Sequence, residues 1–221
     1  MNFSFFVLYP YSNIFKTDST FLSYDKPMKI NIQSYNPIWK LIYEKEAHRI
    51  LKVLNLKSLN GTLAHIGSTA VHGLAAKPTI DILMGLEPEV ELDDCISVFK
   101  KLRYIYVSKY NDIMPFRRFF IKIRPINPLQ KFERKEIGSD ERMPLMKLFD
   151  HNFHIHVVHR NTIYYEKYIA FRNYLRNNEE GRIAYSNMKL HFGEMDWECE
   201  NDYNRAKIPF ITRIMIQLGY L

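Results

Sequence analysis

The sequence predicts an α/β (α+β) fold, a mixed β-sheet flanked by helices with a helical C-terminal third, and three observations carry that prediction. Two short apolar runs, residues 63–66 and 79–86, are joined by a loop of small residues that opens with Gly67-Ser68. The run FHIHVVHR at 153–160 alternates its side chains as a strand does. Beyond residue 162 the apolar residues recur instead at three- and four-residue spacing, which is the helical period. Composition agrees: 221 residues with 47% apolar and 14% aromatic content form a packed globule and exclude a disordered chain.

Taken in order, the first helix follows Pro37. Trp39, Tyr43, Glu46, Ile50 and Leu54 share one of its faces, and Asn36 supplies a start. Residues 87–102 read as a second helix with Asp93 and Asp94 in its first turns. A strand is expected at 104–107 and another at 117–123, the latter ended by Pro125 and Pro128. Residues 125–150 show no clear period and read as a long loop beside the site. In the strand containing FHIHVVHR, His154, His156 and Val158 point one way and Ile155, Val157 and His159 the other. Helices are then expected at 162–177, with Ile163, Tyr168, Phe171, Tyr174 and Leu175 inward, at 179–192, and at 201–218 with a bend at Pro209.

The chemistry is concentrated in residues 62–86. Asp81 lies inside an apolar strand, and a charge there is costly unless it is paired or metal-bound, so propensity alone does not explain it. A Gly-Ser turn leaving a strand presents backbone N–H groups and a hydroxyl to phosphate oxygens, and a strand-borne carboxylate can hold the Mg²⁺ that neutralises them. The paired imidazoles of His154 and His156 suit metal ligation, phosphate binding or proton transfer. Glu46, on the apolar line of its helix, is open to two readings: a metal carboxylate, or an ion pair with an Arg of the sheet. Arg118 either reaches a triphosphate or is a charge at the sheet edge. His151 and His159 read as structural or surface residues.

The pieces HIGSTAV, GLAAKP and IDI, in that order between His65 and Ile82, resemble the signature of the GrpB family, and HIHVV and FRNYLR resemble its later motifs. The resemblance covers about residues 30–215, and the family looks like a branch of the nucleotidyltransferase superfamily. It implies a nucleotidyltransferase-like sheet over residues 28–160, a helical part over 161–221 packed on it, and an N-terminal appendage over 1–27. It further implies a metal-dependent nucleotidyltransferase using a nucleoside triphosphate and Mg²⁺ or Mn²⁺, with Gly67, Ser68, Thr69, Lys77, Arg118 and Arg172 holding the nucleotide. Asp81, His154, His156 and Glu46 would supply metal ligands, and Asp81, His154 and His156 the catalytic groups. The departures are Leu83 where the superfamily carries a second acid, His72 for a proline, and Asn173 for an aspartate. Leu83 keeps open a rival from another class, a nucleotide- or RNA-binding module without chemistry. Arg176, Lys189 and Lys207 are further candidate phosphate contacts.

Charge and cysteine usage bound the partners. Of the net +7, nearly all falls in residues 101–150, which hold 12 Lys and Arg against 6 Asp and Glu. Such a local excess suits a polyanion, so an RNA acceptor such as a tRNA 3′ end, guided by Arg117, Arg118, Lys122 and Arg124, is one expectation; ordinary solvated surface is the other. Two distant cysteines, Cys95 and Cys199, offer neither a disulfide nor a zinc spacing and fit a cytoplasmic protein. No stretch has the roughly 20 apolar residues that span a bilayer. The aromatic N-terminus lacks a basic leader and is broken by Pro10 and Asn13, so it reads as neither signal nor anchor.

Overall fold

A computed structural model describes residues 27–144 and 148–221. The expectation for residues 1–27 lies, but for Pro27, outside the described residues. Six strands form one mixed sheet: β1 (Gly61–Ile66), β2 (Ile80–Leu86), β3 (Ile105–Val107), β4 (Arg118–Pro125), β5 (Glu136–Ile137) and β6 (Phe149–His159). Their order across the sheet is β1-β2-β6-β4-β3-β5. The β2–β6 and β3–β5 pairs are parallel and the other three antiparallel. Helices α1 (Ile38–Asn55) and α2 (Asp94–Lys101) precede the later strands, and α3 (Ile163–Asn177), α4 (Glu179–Glu194), α5 (Glu200–Ala206) and α6 (Ile208–Gln217) make the C-terminal third.

Strand β2 is buried along its whole length, so its two faces belong to two different cores. Ile80, Ile82, Met84 and Leu86 pack with Trp39, Ile50 and Leu54 of α1, Val98 and Phe99 of α2, and Ile155 and Val157 of β6. Leu83 faces the opposite way, into a core with Tyr168 and Phe171 of α3, Tyr185 of α4 and Ile211 and Ile214 of α6. The parallel register pairs Asp81 with His154 and Leu83 with His156, so both histidines stand on the α3–α6 face beside Asp81.

Boundaries differ from expectation where side-chain chemistry overrides period. Helix α2 begins at Asp94, because residues 87–93 form turns ahead of it. The loop expected over 125–150 contains β5, which adds to the sheet edge beside β3, and β6 already starts at Phe149. The last helix is two: α5 ends at Ala206, and Pro209 takes the second position of α6, where a missing N–H costs nothing. Thr162 caps α3 by accepting from the Tyr165 N–H, and Asn178 caps α4 through Gly181. Ile163, expected inward, is half exposed in the first turn of α3.

Glu46 resolves the other way from a metal ligand. On the α1–α2 face it accepts from the Tyr104 hydroxyl at 2.6 Å, from Lys122 Nζ at 3.3 Å and from Arg49 Nε at 2.9 Å. Burial by itself would raise its carboxyl, but the hydrogen bonds from Arg49 and Tyr104 outweigh that and hold it below the ordinary carboxylate range. The whole sheet separates it from Asp81, so the metal expectation for Glu46 is corrected to a structural ion cluster. Glu46→Ala should therefore destabilise the fold by about 2–3 kcal/mol, mainly because the buried Tyr104 hydroxyl loses its acceptor. A depressed carboxyl stabilises above the unfolded value of about 4.5 and loses that contribution as pH falls through the lower folded value. Urea melts at pH 7 and pH 4 that show no difference between Glu46→Ala and the parent would refute this.

Candidate functional site

A small pocket opens where the turn after β1 meets α4, α5 and α6. It is lined by Ser68, Thr69, Lys77, Thr79, Asp81, Tyr185, Lys189, Tyr203 and Lys207. The turn is built for close approach. Gly67 has φ 70°, a left-handed conformation, and a Cβ there would lie 2.3 Å from Asp81 Oδ2. Ser68–Ala70 then form a 3-10 turn, with the Thr69 hydroxyl donating to the Thr79 carbonyl at 3.1 Å and facing His65 Nε2 at 3.0 Å. The turn is tied to the helices from outside the pocket: Arg172 Nη1 donates to the His65 carbonyl at 3.0 Å and Arg176 to the Ala70 carbonyl at 2.8 Å.

Asp81 is 6% exposed and sits between two imidazoles, with His154 Nδ1 and His156 Nε2 each 3.7 Å from its Oδ1. Both rings are buried, His156 stacked on Phe119 at 4.9 Å and tilted on Tyr168 at 5.5 Å. Burial pushes their pKa values down, His156 to about 4 and His154 well below the ordinary value, so both are neutral at pH 7. Their partners then dictate the tautomers. Arg117 Nη1, 3.2 Å from His156 Nδ1, can only donate, so His156 carries its proton on Nε2 and presents it to Asp81. His151 Nε2 lies 3.1 Å from the Pro144 carbonyl, which can only accept, so the neutral His151 receives a hydrogen bond at Nδ1 from His154 Nε2 at 3.2 Å. His154 is thereby left with a lone pair on Nδ1, turned toward Asp81.

Three lysines face this carboxylate. Lys77 pairs with Glu200 at 2.6 Å, Lys189 donates to the Ala75 carbonyl, and Lys207 donates to Asn204 Oδ1 at 2.8 Å. Lys189 and Lys207 are 2% and 4% exposed, with Nζ above the rings of Tyr185 and Tyr203 at 4.6 and 4.3 Å. Burial lowers both ammonium groups, Lys207 to about 7, with Lys77 adding to the effect and Glu200 and Asp81 opposing it.

The structure thus brings together Gly67, Ser68, Thr69, Lys77, Asp81, His154 and His156, with Lys189 and Lys207. It leaves Glu46 on the far face, and Arg172 spends its donors on the His65 carbonyl and on Asn173 Oδ1. Arg118 pairs with Asp93 at the surface instead of approaching the pocket. Arg117, Lys122 and Arg124, grouped with it as an RNA track, face His156, Glu46 and Asp150 respectively. His151 proves buried and bonded to His154, and His159 meets the Val90 carbonyl at 2.9 Å. Sequence reasoning missed Glu200 and Tyr185, which no local motif marks, and gave Tyr203 no role in the site; helix packing delivers all three.

A divalent cation fits these residues poorly. Mg²⁺ is held by carboxylate oxygens, and here Asp81 shares its surroundings with three lysines while the other nearby carboxylate, Glu200, is paired with Lys77 at 2.6 Å. Asp81 and His154 Nδ1 make two donors where an open catalytic zinc site uses three. Among the described residues no group of three or more His, Cys, Asp or Glu is arranged to hold a metal. No helix among the described residues is long and apolar enough to cross a membrane.

Comparison with known proteins agrees with the fold. The GrpB protein family matches residues 29–217. A UPF0157 protein of Streptomyces coelicolor is 28% identical over 192 residues, 87% of this chain and 86% of its own. A UPF0157 protein of Halalkalibacterium halodurans is 27% identical over 186 residues, 84% of this chain and 80% of its own. The crystal structure of conserved protein GrpB from Enterococcus faecalis superposes with a TM-score of 0.61 at 25% identity, covering 85% of this chain and 96% of that one.

Two measurements test the site's construction. Gly67→Ala should cost about 2 kcal/mol or more, from left-handed strain and from displacing Asp81, whereas Gly73→Ala, also at positive φ but 4.0 Å from its nearest neighbour, should cost only about 1 kcal/mol. Equal melting shifts for the two would show that the turn does not press on Asp81. The imidazoles give a second test. His65, His151 and His156 have folded values of about 3, 4 and 4 against 6.5 unfolded, so below pH 6.5 the unfolded chain binds protons that the folded chain refuses. Stability should fall by about 1.4 kcal/mol per pH unit for each between pH 6 and pH 4. A flat stability profile over that window would refute their burial as neutral groups.

Proposed function

Because the chain belongs to the GrpB family, with the mixed sheet and turn just described, we propose that it is a nucleotidyltransferase that binds the phosphate chain of a nucleoside triphosphate in this pocket. The observation that carries the reading is the convergence of Ser68, Thr69 and three lysines on Asp81. Each ammonium carries three N–H donors and the Ser68 hydroxyl one, and phosphate oxygens are strong acceptors for such groups. In the transfer, the acceptor's hydroxyl oxygen bonds to the α-phosphorus as the α–β P–O bond breaks and pyrophosphate leaves. Asp81 takes the hydroxyl proton. His156, with Nε2 3.7 Å from Asp81 Oδ1, faces the carboxylate across the same side of the sheet. Positioning and charge neutralisation supply most of the remaining acceleration.

The acceptor is a small hydroxyl compound on this reading, because Arg118, Lys122 and Arg124 each face an acid. Leu83, buried at the position of a second acid, favours a second reading in which the nucleotide is bound without being transferred. Pyrophosphate release from each nucleoside triphosphate, measured with a pool of small alcohols, sugars and RNA, separates the two. The wild type should release pyrophosphate, and Asp81→Asn, which conserves volume, should lose at least about 100-fold while melting at a similar temperature. Wild-type turnover in folded Asp81→Asn would refute the transferase reading. Tight nucleotide binding with no pyrophosphate from any acceptor would establish the second.

A further inference from the structure

Lys189 and Lys207 are the two groups whose position local structure does not explain. They come from different helices, α4 and the junction of α5 with α6, and both are buried where they line the pocket opposite Asp81. Each ammonium has three N–H donors. Among the described residues Lys189 uses one on the Ala75 carbonyl and Lys207 one on Asn204 Oδ1. The carboxylates on hand are Asp81 and Glu200, and Glu200 is already paired with Lys77. Two buried cations sharing what remains is costly for the empty pocket and becomes favourable once an anion enters.

From this arrangement we infer that Lys77, Lys189 and Lys207 neutralise a bound di- or triphosphate chain in place of a divalent cation, so that the pocket binds pyrophosphate and nucleoside triphosphates metal-free. The inference rests on the nucleotide reading above and adds what compensates the charge. Lys189 also joins the anion to the phosphate turn, because the Ala75 carbonyl that it holds belongs to the loop between Gly67 and Asp81. The pH signature follows from the same surroundings. The groups facing Lys207 are Lys77, Lys189, Glu200, Asp81, Tyr203 and Asn204, and in the empty pocket its ammonium titrates near 7. An anion raises that value, so binding takes up a proton above pH 7 and weakens as pH rises from 7 to 9.

The test is calorimetric titration of the full chain with sodium pyrophosphate and with ATP, in excess EDTA and in 5–10-fold Mg²⁺ over ligand, on wild type, Lys189→Met and Lys207→Met. Expected are binding of both ligands in EDTA at least as tight as in Mg²⁺, proton uptake at pH 8, and about tenfold or greater weakening in each variant from loss of a charge-assisted hydrogen bond. Binding that appears only with Mg²⁺ would overturn the metal-free inference and leave the nucleotide reading standing. Unchanged affinity in a folded Lys→Met variant would overturn the role of that lysine. Absence of binding in both buffers would overturn both readings. The EDTA and Mg²⁺ comparison uses wild type alone, so it decides the matter even if a variant does not fold.

Discussion

A carboxylate near the start of a strand buried on both faces has to be compensated from its surroundings, and the Asp81 site is the set of compensations that this chain supplies. Gly67 gives up its side chain so that the turn can close against Oδ2. His156 contributes a proton whose placement is imposed by Arg117, and Lys189 and Lys207 bring charge from helices more than 100 residues away in sequence. Each compensating group is itself expensive to bury, which explains why the polar atoms form one connected cluster in place of isolated pairs. The aromatic rings of Phe119, Tyr168, Tyr185 and Tyr203 then exclude water from it while offering the cations a favourable face.

The sheet keeps its two polar clusters apart. Glu46, Tyr104, Arg49 and Lys122 neutralise one another on the α1–α2 side, whereas Asp81, the histidines and the lysines occupy the α3–α6 side. In the first, one carboxylate accepts from both cations and from the Tyr104 hydroxyl, and the cluster stabilises the fold. The second carries three lysines against two carboxylates around an opening. On the reading proposed above, the opening is what lets this second cluster receive an anion.

Period and motif made most of the fold readable. The three- and four-residue spacing of Trp39, Ile50 and Leu54 located α1, the alternation around His154 located β6 and its faces, and the Gly67 to Asp81 stretch marked residues that the fold brings to one pocket. Where helix ends and short strands depend on capping or on an edge partner, as for α2 and β5, sequence alone ran wide. Period also placed Glu46 on an inward face correctly, yet a face has no depth, and nothing in a helical pattern says which side of a sheet the helix will cover. The same limit applies to charge: residues 101–150 read as a basic segment partly because two of their acidic partners, Asp93 of Arg118 and Glu46 of Lys122, lie outside it in the chain.

What the sequence by itself determined is the family, the sheet-and-helix class and the motif residues whose spacing is local: Gly67, Ser68, Asp81, His154 and His156. The tertiary structure decided which charges meet. Lys189 and Lys207 were two of several lone basic residues on helices, and Arg118 and Arg172 looked no different from them in the chain. Packing α4 and α6 over β2 put the first two beside Asp81, while Asp93, the His65 carbonyl and Asn173 claimed the other two. Ion pairs and charge-assisted hydrogen bonds need partners within contact distance, whatever their separation in sequence, so they are settled only once distant segments have been brought together.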